Sequence, residues 1–465
     1  MITLTAAEVA EIVAGRLAGL DPQLAISGKV EFDSRKVLPG DLFLAIKGEH
    51  ADGHDYAGVA MAAGAVGVLA TREVDVPAIM IADPLAALTA LATEAARRLA
   101  AVTVEITGSS GKTSTKDLLA QVLAEHGRTI APPESFNNEL GFPYTVLLAD
   151  EQTEYLVLEA SARGLGHIAA LTRIAPPRLA AVLNVGSAHL GEFGSVAAIA
   201  QAKGELVEAL PADGFAVLNA DDPVVLAMAA RTSATISTFG EHHNADVRAD
   251  DVRLDQGGRA SFDLVSGARR APVALQVRGE HQVSNALAAA ALALACGLEL
   301  SAVAAALSAA TARSHWRMEV SETAAGVTVI NDAYNANPES MRSALKSLAI
   351  LSEGRRSIAV LGQMAELGDE SIGAHDAIGR LAVRLDIQQL IAVGEPARPI
   401  ANGASLEGSW NGESEWVADN LAALERLREL LRGGDVLLIK GSRSTEMQRI
   451  ATAVIDWLDS AELPL

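Results

Sequence analysis

The chain has 465 residues, half of them hydrophobic, with 37 basic side chains against 58 acidic ones and a formal net charge of −21. That length suits roughly two to four domains, and so acidic a surface repels nucleic acid and anionic membranes, so neither is expected as a partner. Aromatic residues make up only 3%, so the cores must be built from Ala, Leu, Val and Ile, and the single cysteine, Cys296, excludes an internal disulfide framework.

In chain order, the opening run MITLTAAEVAEIVAGRLAG carries Glu8, Glu11 and Arg16 where a secretory signal needs an apolar stretch. A soluble, cytoplasmic protein is expected. Short apolar strands then alternate with helical stretches almost throughout, the pattern of parallel α/β sheets. A first block closes on an Ala-rich helix from Pro84 to Ala101. A second opens at VTVEITG and runs to about Thr311. A third begins near Trp316 and contains the strand-like runs VTVIND, SIAVLG, QLIAVG and DVLLIKG. The expected domains are 1–100, 101–313 and 314–465. The stretch from Ala286 to Leu298 is too short and too Ala-rich to span a bilayer, so it reads as a buried helix and no stable membrane insertion is expected.

Ligands of open α/β sheets sit at the carboxyl ends of strands, so the residues just after those runs come first. VEITGSSGKTS places Gly108, Ser109, Ser110, Gly111, Lys112, Thr113 and Ser114 between a strand and a helix. Backbone N–H groups in such a turn converge on phosphate oxygens, Lys112 reaches the β- and γ-phosphates, and the Thr113 hydroxyl suits Mg²⁺. The helix presents Leu118, Leu119, Val122 and Leu123 on one face. Ile106 stands where longer phosphate loops carry a glycine, so this loop is short at its start. EYLVLEAS ends a strand on Glu159, a natural Mg²⁺ partner. LAAVLNVGSAHLGEFGS ends one at Asn184 and reaches His189. Lys203 lies on a helix in IAQAKGELV and by itself reads as a solvated lysine. His54 fits a substrate contact or a loop stabiliser equally well. His375 reads as a helix-surface histidine.

Taken together these segments resemble the Mur ligase family, the ATP-dependent amide-forming enzymes of peptidoglycan precursor synthesis. TGSSGKTS is similar to the family's short phosphate loop, and SFNNELGFP, with Asn137 and Asn138, to its paired-asparagine segment. LNVGSAHLGEFGS and AKGE follow in the family's order. HQVSNALAAAALALACG, with His281 and Asn285, resembles the segment that approaches the nucleotide base. RMEV, with Arg317, and VINDAYNANPESM, with Asp332, resemble the C-terminal arginine and the ribose-contacting acid. Trp316 departs from the glycine common before that arginine, and Ala160-Ser161-Ala162 departs from the usual continuation after Glu159.

The resemblance implies three α/β domains: an N-terminal one that binds a UDP-sugar, a central phosphate-loop domain with a parallel sheet, and a Rossmann-like C-terminal one. It implies ATP and Mg²⁺, with Thr113, Glu159, His189 and Lys203, the last as a carbamate formed with CO₂, around the metal. FDSRKVLPGDLFLAIKGEHADGHDY, with Ser34 and Arg35, resembles the UDP-sugar domain of the later-acting members. NDAYNANPESM, with Asn335 and Asn337, VLGQMAELGDES and KGSRSTEM resemble the member that joins D-alanyl-D-alanine to UDP-N-acetylmuramoyl-tripeptide. Met364 and Glu366 would then line a dipeptide pocket. The Asp-Asn-Pro-Arg signature of members that add diaminopimelate is not found. Arg317 and Asp332 would join the site as the domains close, and a monomer is expected. The alternatives are a Mur-type ligase for another amino acid, a folylpolyglutamate synthetase-like ligase, and a non-catalytic regulator that binds nucleotides or UDP-precursors. The N-terminal SRKVLPGDLFLAIKG block argues against the second, and the intact Lys112, Thr113, Glu159, His189 and Lys203 against the third.

Overall fold

The computed structural model describes residues 1–48, 51–188, 190–241, 244–408 and 413–460. Among these residues three large sheets follow one another along the chain. The first has five strands in the order Arg16–Ala18, Ala78–Met80, Gly67–Ala70, Leu42–Leu44 and Val30–Glu31, with only the first pair antiparallel. The third has six, in the order Glu319–Glu322, Thr328–Asn331, Val436–Lys440, Ser357–Leu361, Gln389–Val393 and Ser414–Val417. Only Glu319–Glu322 runs antiparallel there. The four C-terminal runs read as strands all form parallel strands of this sheet, and their apolar character follows from helices covering both faces.

The second sheet has nine strands. Seven run parallel, in the order Val247–Leu254, Thr235–Gly240, Phe215–Asn219, Leu179–Val182, Val102–Thr107, Tyr155–Glu159 and Thr129–Ile130. Val102–Thr107 lies between a strand reached from one side and a strand reached from the other, which is the switch point where such sheets open a crevice. Two further strands, Arg259–Ser266 and Arg269–Arg278, extend the sheet antiparallel. The parallel pattern did not anticipate them. Their signal was a two-residue alternation: in Arg269–Arg278, Ala271, Val273 and Leu275 are buried between exposed neighbours, as a half-solvated antiparallel strand requires.

Helix Pro84–Arg98 starts where Asp83 caps Ala86 N and Pro84 takes the first position. It buries Leu88, Leu91, Ala92 and Ala95 in one core with Phe142 and Val146 of the central domain, so the first two domains share packing. Helix Gln282–Ala295 is the Ala-rich stretch. Ala286 to Ala293 are all buried, and it packs on the phosphate-loop helix Lys112–Ala124, whose Leu118, Leu119, Val122 and Leu123 face the same core.

His375, expected on a helix surface, is instead fully buried. Helix Ser371–Arg384 is packed between helices Pro338–Leu351 and Arg398–Glu407, so the stripe with Ile378 and Ala382 faces inward. Its Nε2 accepts from Met364 N at 2.8 Å and its Nδ1 donates to Ser371 O at 2.6 Å. Burial pushes its pKa down, and both ring nitrogens are satisfied by a neutral ring.

Candidate active site

The strand Val102–Thr107 runs into the loop 108–111 and then helix Lys112–Ala124. Gly111 has φ +81°, and a Cβ there would lie 2.4 Å from Asn285 Oδ1, so both backbone and space demand glycine. Asn184, two residues past the strand Leu179–Val182, clamps the loop: its Oδ1 accepts from Ser110 N at 2.9 Å and its carbonyl from Ser109 N at 3.1 Å. Lys112 Nζ donates to Gly108 O at 2.7 Å. Burial lowers the pKa of that half-buried ammonium, Glu159 partly offsets this, and Arg317 adds to the lowering.

Glu159 ends the neighbouring strand Tyr155–Glu159 and is buried. Thr113 Oγ1 donates to its Oε2 at 2.9 Å and Asn137 Nδ2 to its Oε1 at 2.7 Å. Ser135 Oγ lies 2.7 Å from Thr113 Oγ1 and accepts from Arg317 at 2.7 Å. Three consecutive residues thus reach three domains. Ser135 meets Arg317 of the third, Phe136 stacks on Phe32 of the first with centroids 6.4 Å apart, and Asn137 holds Glu159 of the second. Asn138 differs from its neighbour: its Oδ1 accepts from Gly141 N at 2.9 Å and turns the chain into the next helix.

The third domain closes over the loop. Asn337 caps helix Pro338–Leu351 and donates to Ser109 O at 3.2 Å, while Glu339 accepts from Ser187 Oγ at 3.0 Å. Asp332 accepts from Met318 N at 3.0 Å and pairs with the buried Lys440 at 2.6 Å. Arg317 lies 4.1 Å from the centroid of Tyr334. It is bracketed by two non-glycine residues with left-handed backbone, Trp316 at φ +57° and Met318 at φ +51°. The glycine expected before the arginine would adopt that conformation without strain, whereas tryptophan holds it against a steric cost.

These groups line one cleft of about 1190 Å³. Of the residues singled out from the sequence, Ser109, Ser110, Gly111, Lys112, Thr113, Ser114, Asn137, Asn138, Glu159, Asn285, Arg317, Asp332, Asn335, Asn337 and Glu366 are on its wall. Gly108 stands just behind it. Met364 is fully buried. Lys203 is buried on helix Val196–Glu208 rather than solvated; burial pushes its pKa well down, and Lys112 acts in the same direction. Ser34 and Arg35 do not line the cleft, and the exposed Arg35 is paired with Asp33 at 2.8 Å. His54 stabilises a loop, with Nδ1 2.6 Å from Asp52 Oδ1 and Nε2 accepting from Thr71 N at 3.0 Å. His281 lines the cleft, its Nδ1 has no partner among the described residues, and burial lowers its pKa. His189 lies outside the described residues. Sequence reasoning missed Ser135 and Tyr334 as individual contributors, although both sit inside segments it had marked.

Among the described residues no three His, Cys, Asp or Glu side chains converge as a metal cluster. The donors that do converge are hard oxygens: the Glu159 carboxylate and the hydroxyls of Thr113 and Ser135. One carboxylate beside hydroxyls at a phosphate loop fits Mg²⁺, which is bound through one or two protein oxygens and otherwise through water and phosphate.

Fold and cleft together define a three-domain α/β protein of the phosphate-loop class. Three family descriptions match in order: the Mur ligase family catalytic domain over 28–106, the Mur ligase middle domain over 106–293, and the Mur ligase glutamate ligase domain over 316–443. The chain belongs to the Mur ligase family. It is 51% identical to the UDP-N-acetylmuramoyl-tripeptide–D-alanyl-D-alanine ligase of Mycobacterium bovis, over 98% of each chain. A crystal structure of MurF from Acinetobacter baumannii superposes with a TM-score of 0.85 at 31% identity, covering 98% of this chain and 99% of that one. A MurF ligase from Thermotoga maritima in complex with ADP superposes with a TM-score of 0.77 at 27% identity, covering 93% and 98%.

Proposed function

We propose that this protein is an ATP-dependent ligase that joins D-alanyl-D-alanine to UDP-N-acetylmuramoyl-tripeptide, giving the UDP-linked pentapeptide. The observation that carries the reading is similarity to a ligase of that name over 98% of both chains. The cleft of about 1190 Å³, to which the central and C-terminal domains both contribute, supports it. The terminal carboxylate of the tripeptide attacks the γ-phosphorus of ATP, ADP leaves, and an acyl phosphate forms. The free amine of the dipeptide then attacks the acyl carbon, phosphate leaves with the carboxylate's oxygen, and the amine's proton passes to solvent or base.

Carboxylate and ATP are both anionic, and the chain itself carries −21, so charge repulsion is a large part of the barrier. Lys112 and Arg317 supply fixed positive charge at the transferred group. Gly108, Ser109, Ser110, Gly111 and Ser114 shape the phosphate cradle, with Asn285 and Asp332 toward base and ribose. Thr113 and Glu159 would hold Mg²⁺, joined by His189 and Lys203, and Ser135 lies within reach of the same oxygens. When bound, Mg²⁺ neutralises phosphate charge. Burial favours the neutral amine of Lys203, the form that reacts with CO₂ to give a carbamate. Asn137, Asn138, Asn335 and Asn337 are proposed at the substrates, with Ser34 and Arg35 toward the uridine diphosphate. The domains are proposed as 1–100, 101–313 and 314–465, in a cytoplasmic monomer. Among the described residues no helix is long and apolar enough to cross a membrane.

The test is Mg²⁺-dependent phosphate release from ATP with the UDP-tripeptide, with and without D-alanyl-D-alanine. Release that needs both, with a pentapeptide mass in the product, is expected. Release supported by another amine or acid would keep the ligase chemistry and move the substrate, and no release under any pairing would contradict it.

A further inference from the structure

One cation on the cleft wall has no task in this scheme. Arg443 opens the short turn Arg443–Thr445, just past the strand Val436–Lys440. Its guanidinium carbon lies 4.6 Å from the centroid of Trp316 and 5.1 Å from that of Tyr334. Stacking on ring faces fixes the plane of a guanidinium and leaves its N–H edges free. The other cations of the cleft are engaged: Lys440 with Asp332, Arg163 with Glu192 and Glu366, Lys112 with Gly108 O, and Arg317 with Ser135. Among the described residues Arg443 has no hydrogen-bonding or ion-pair partner for its side chain. A planar donor fork, held in place by two rings and facing a cleft in an acidic protein, is a receptor for a carboxylate.

We propose that Arg443 holds the free carboxylate of the incoming dipeptide, so that it sets specificity for an amino acceptor with a terminal acid. The proposal rests on the ligase reading above. D-alanyl-D-alanine brings one amine and one carboxylate. The amine must reach the acyl phosphate beside Lys112 and Arg317, so the carboxylate needs an anchor about one dipeptide length away, roughly 7 Å for two extended residues. Tyr334 carries Arg317 on its ring as well as Arg443, which keeps the anchor close to the reacting group. Without a local cation the long-range field of the chain would repel the dipeptide's carboxylate.

The experiment compares D-alanyl-D-alanine with D-alanyl-D-alaninamide as acceptors for the full-length enzyme, at saturating ATP and UDP-tripeptide. The wild type should prefer the acid by about 10–100-fold in kcat/KM, the range of a charge-assisted two-point contact. In Arg443→Met the KM for D-alanyl-D-alanine should rise by a similar factor, and the preference should shrink to about threefold or less. The KM values for ATP and UDP-tripeptide should stay where they were. Arg443→Lys, which keeps the charge without the fork, should recover part of the preference. Wild-type turnover with the acid preference intact in Arg443→Met would overturn this assignment alone. A wild type that turns over neither acceptor would overturn the ligase reading and this assignment with it.

Discussion

Thr113 Oγ1 donates to Glu159 Oε2 at 2.9 Å across 46 residues of chain. The contact joins the first turn of the phosphate-loop helix to the end of the neighbouring parallel strand, and the register of the two strands sets it. Asn137 holds the second carboxylate oxygen at 2.7 Å, so Glu159 is fixed on both sides inside a buried site. A carboxylate oriented in this way meets a cation without reorganising.

Removing that second tie should loosen the carboxylate while keeping its charge. Asn137→Ala is expected to lower turnover by about 10–100-fold, the usual cost of losing a group that orients a metal ligand. The Mg²⁺ concentration for half-maximal rate should rise with it. A Mg²⁺ titration of phosphate release checks this, and an unchanged half-saturation point would separate Asn137 from the metal.

Lys112→Ala should lower kcat by at least about 10²–10³-fold, the range found when one preorganised charge is removed from a transition state. Among the described residues its Nζ bonds only the loop carbonyl of Gly108, so the thermal midpoint should move little. Near-normal turnover would remove Lys112 from the reaction.

Glu105 is fully buried in strand Val102–Thr107, and neither carboxylate oxygen has a partner among the described residues. Desolvation pushes its pKa well above the ordinary carboxylate value. The folded state therefore keeps a proton that the unfolded chain loses above its own carboxylate range. Stability is fully present below that range and falls as pH rises toward the folded pKa, by about 1.4 kcal/mol per pH unit while the two states differ by one proton. Glu105→Gln removes the loss. It should raise the thermal midpoint at about pH 8, by the equivalent of about 1.4 kcal/mol for each pH unit over which only the folded chain holds the proton. At about pH 5.5 the gain should be clearly smaller, and equal gains at both values would contradict it.

Much of the architecture could be read from the sequence because parallel strands buried on both faces are written as apolar runs. Tyr155–Glu159, Ser357–Leu361 and Val436–Lys440 are clear cases. The phosphate loop was legible because only a narrow set of residues can place backbone N–H groups around phosphate, and Gly111 shows that constraint directly. What was not legible depends on tertiary neighbours. His375 looked exposed until two flanking helices enclosed its stripe. The aromatic faces beneath Arg317 and Arg443 flank the antiparallel strands Glu319–Glu322 and Thr328–Asn331, while the second arginine comes from more than a hundred residues later. No local spacing encodes that meeting. Trp316 was visible as a departure, but its positive φ supplies the reason a glycine would suit the position.

The most direct test of the account follows one oxygen atom. UDP-tripeptide labelled with oxygen-18 in its terminal carboxylate is incubated with ATP, Mg²⁺ and D-alanyl-D-alanine, and the released phosphate is analysed by mass. Transfer of one labelled oxygen into phosphate is predicted, because the carboxylate that attacks phosphorus gives up that oxygen when the amine displaces phosphate. Pentapeptide formation with unlabelled phosphate would contradict the acyl-phosphate route.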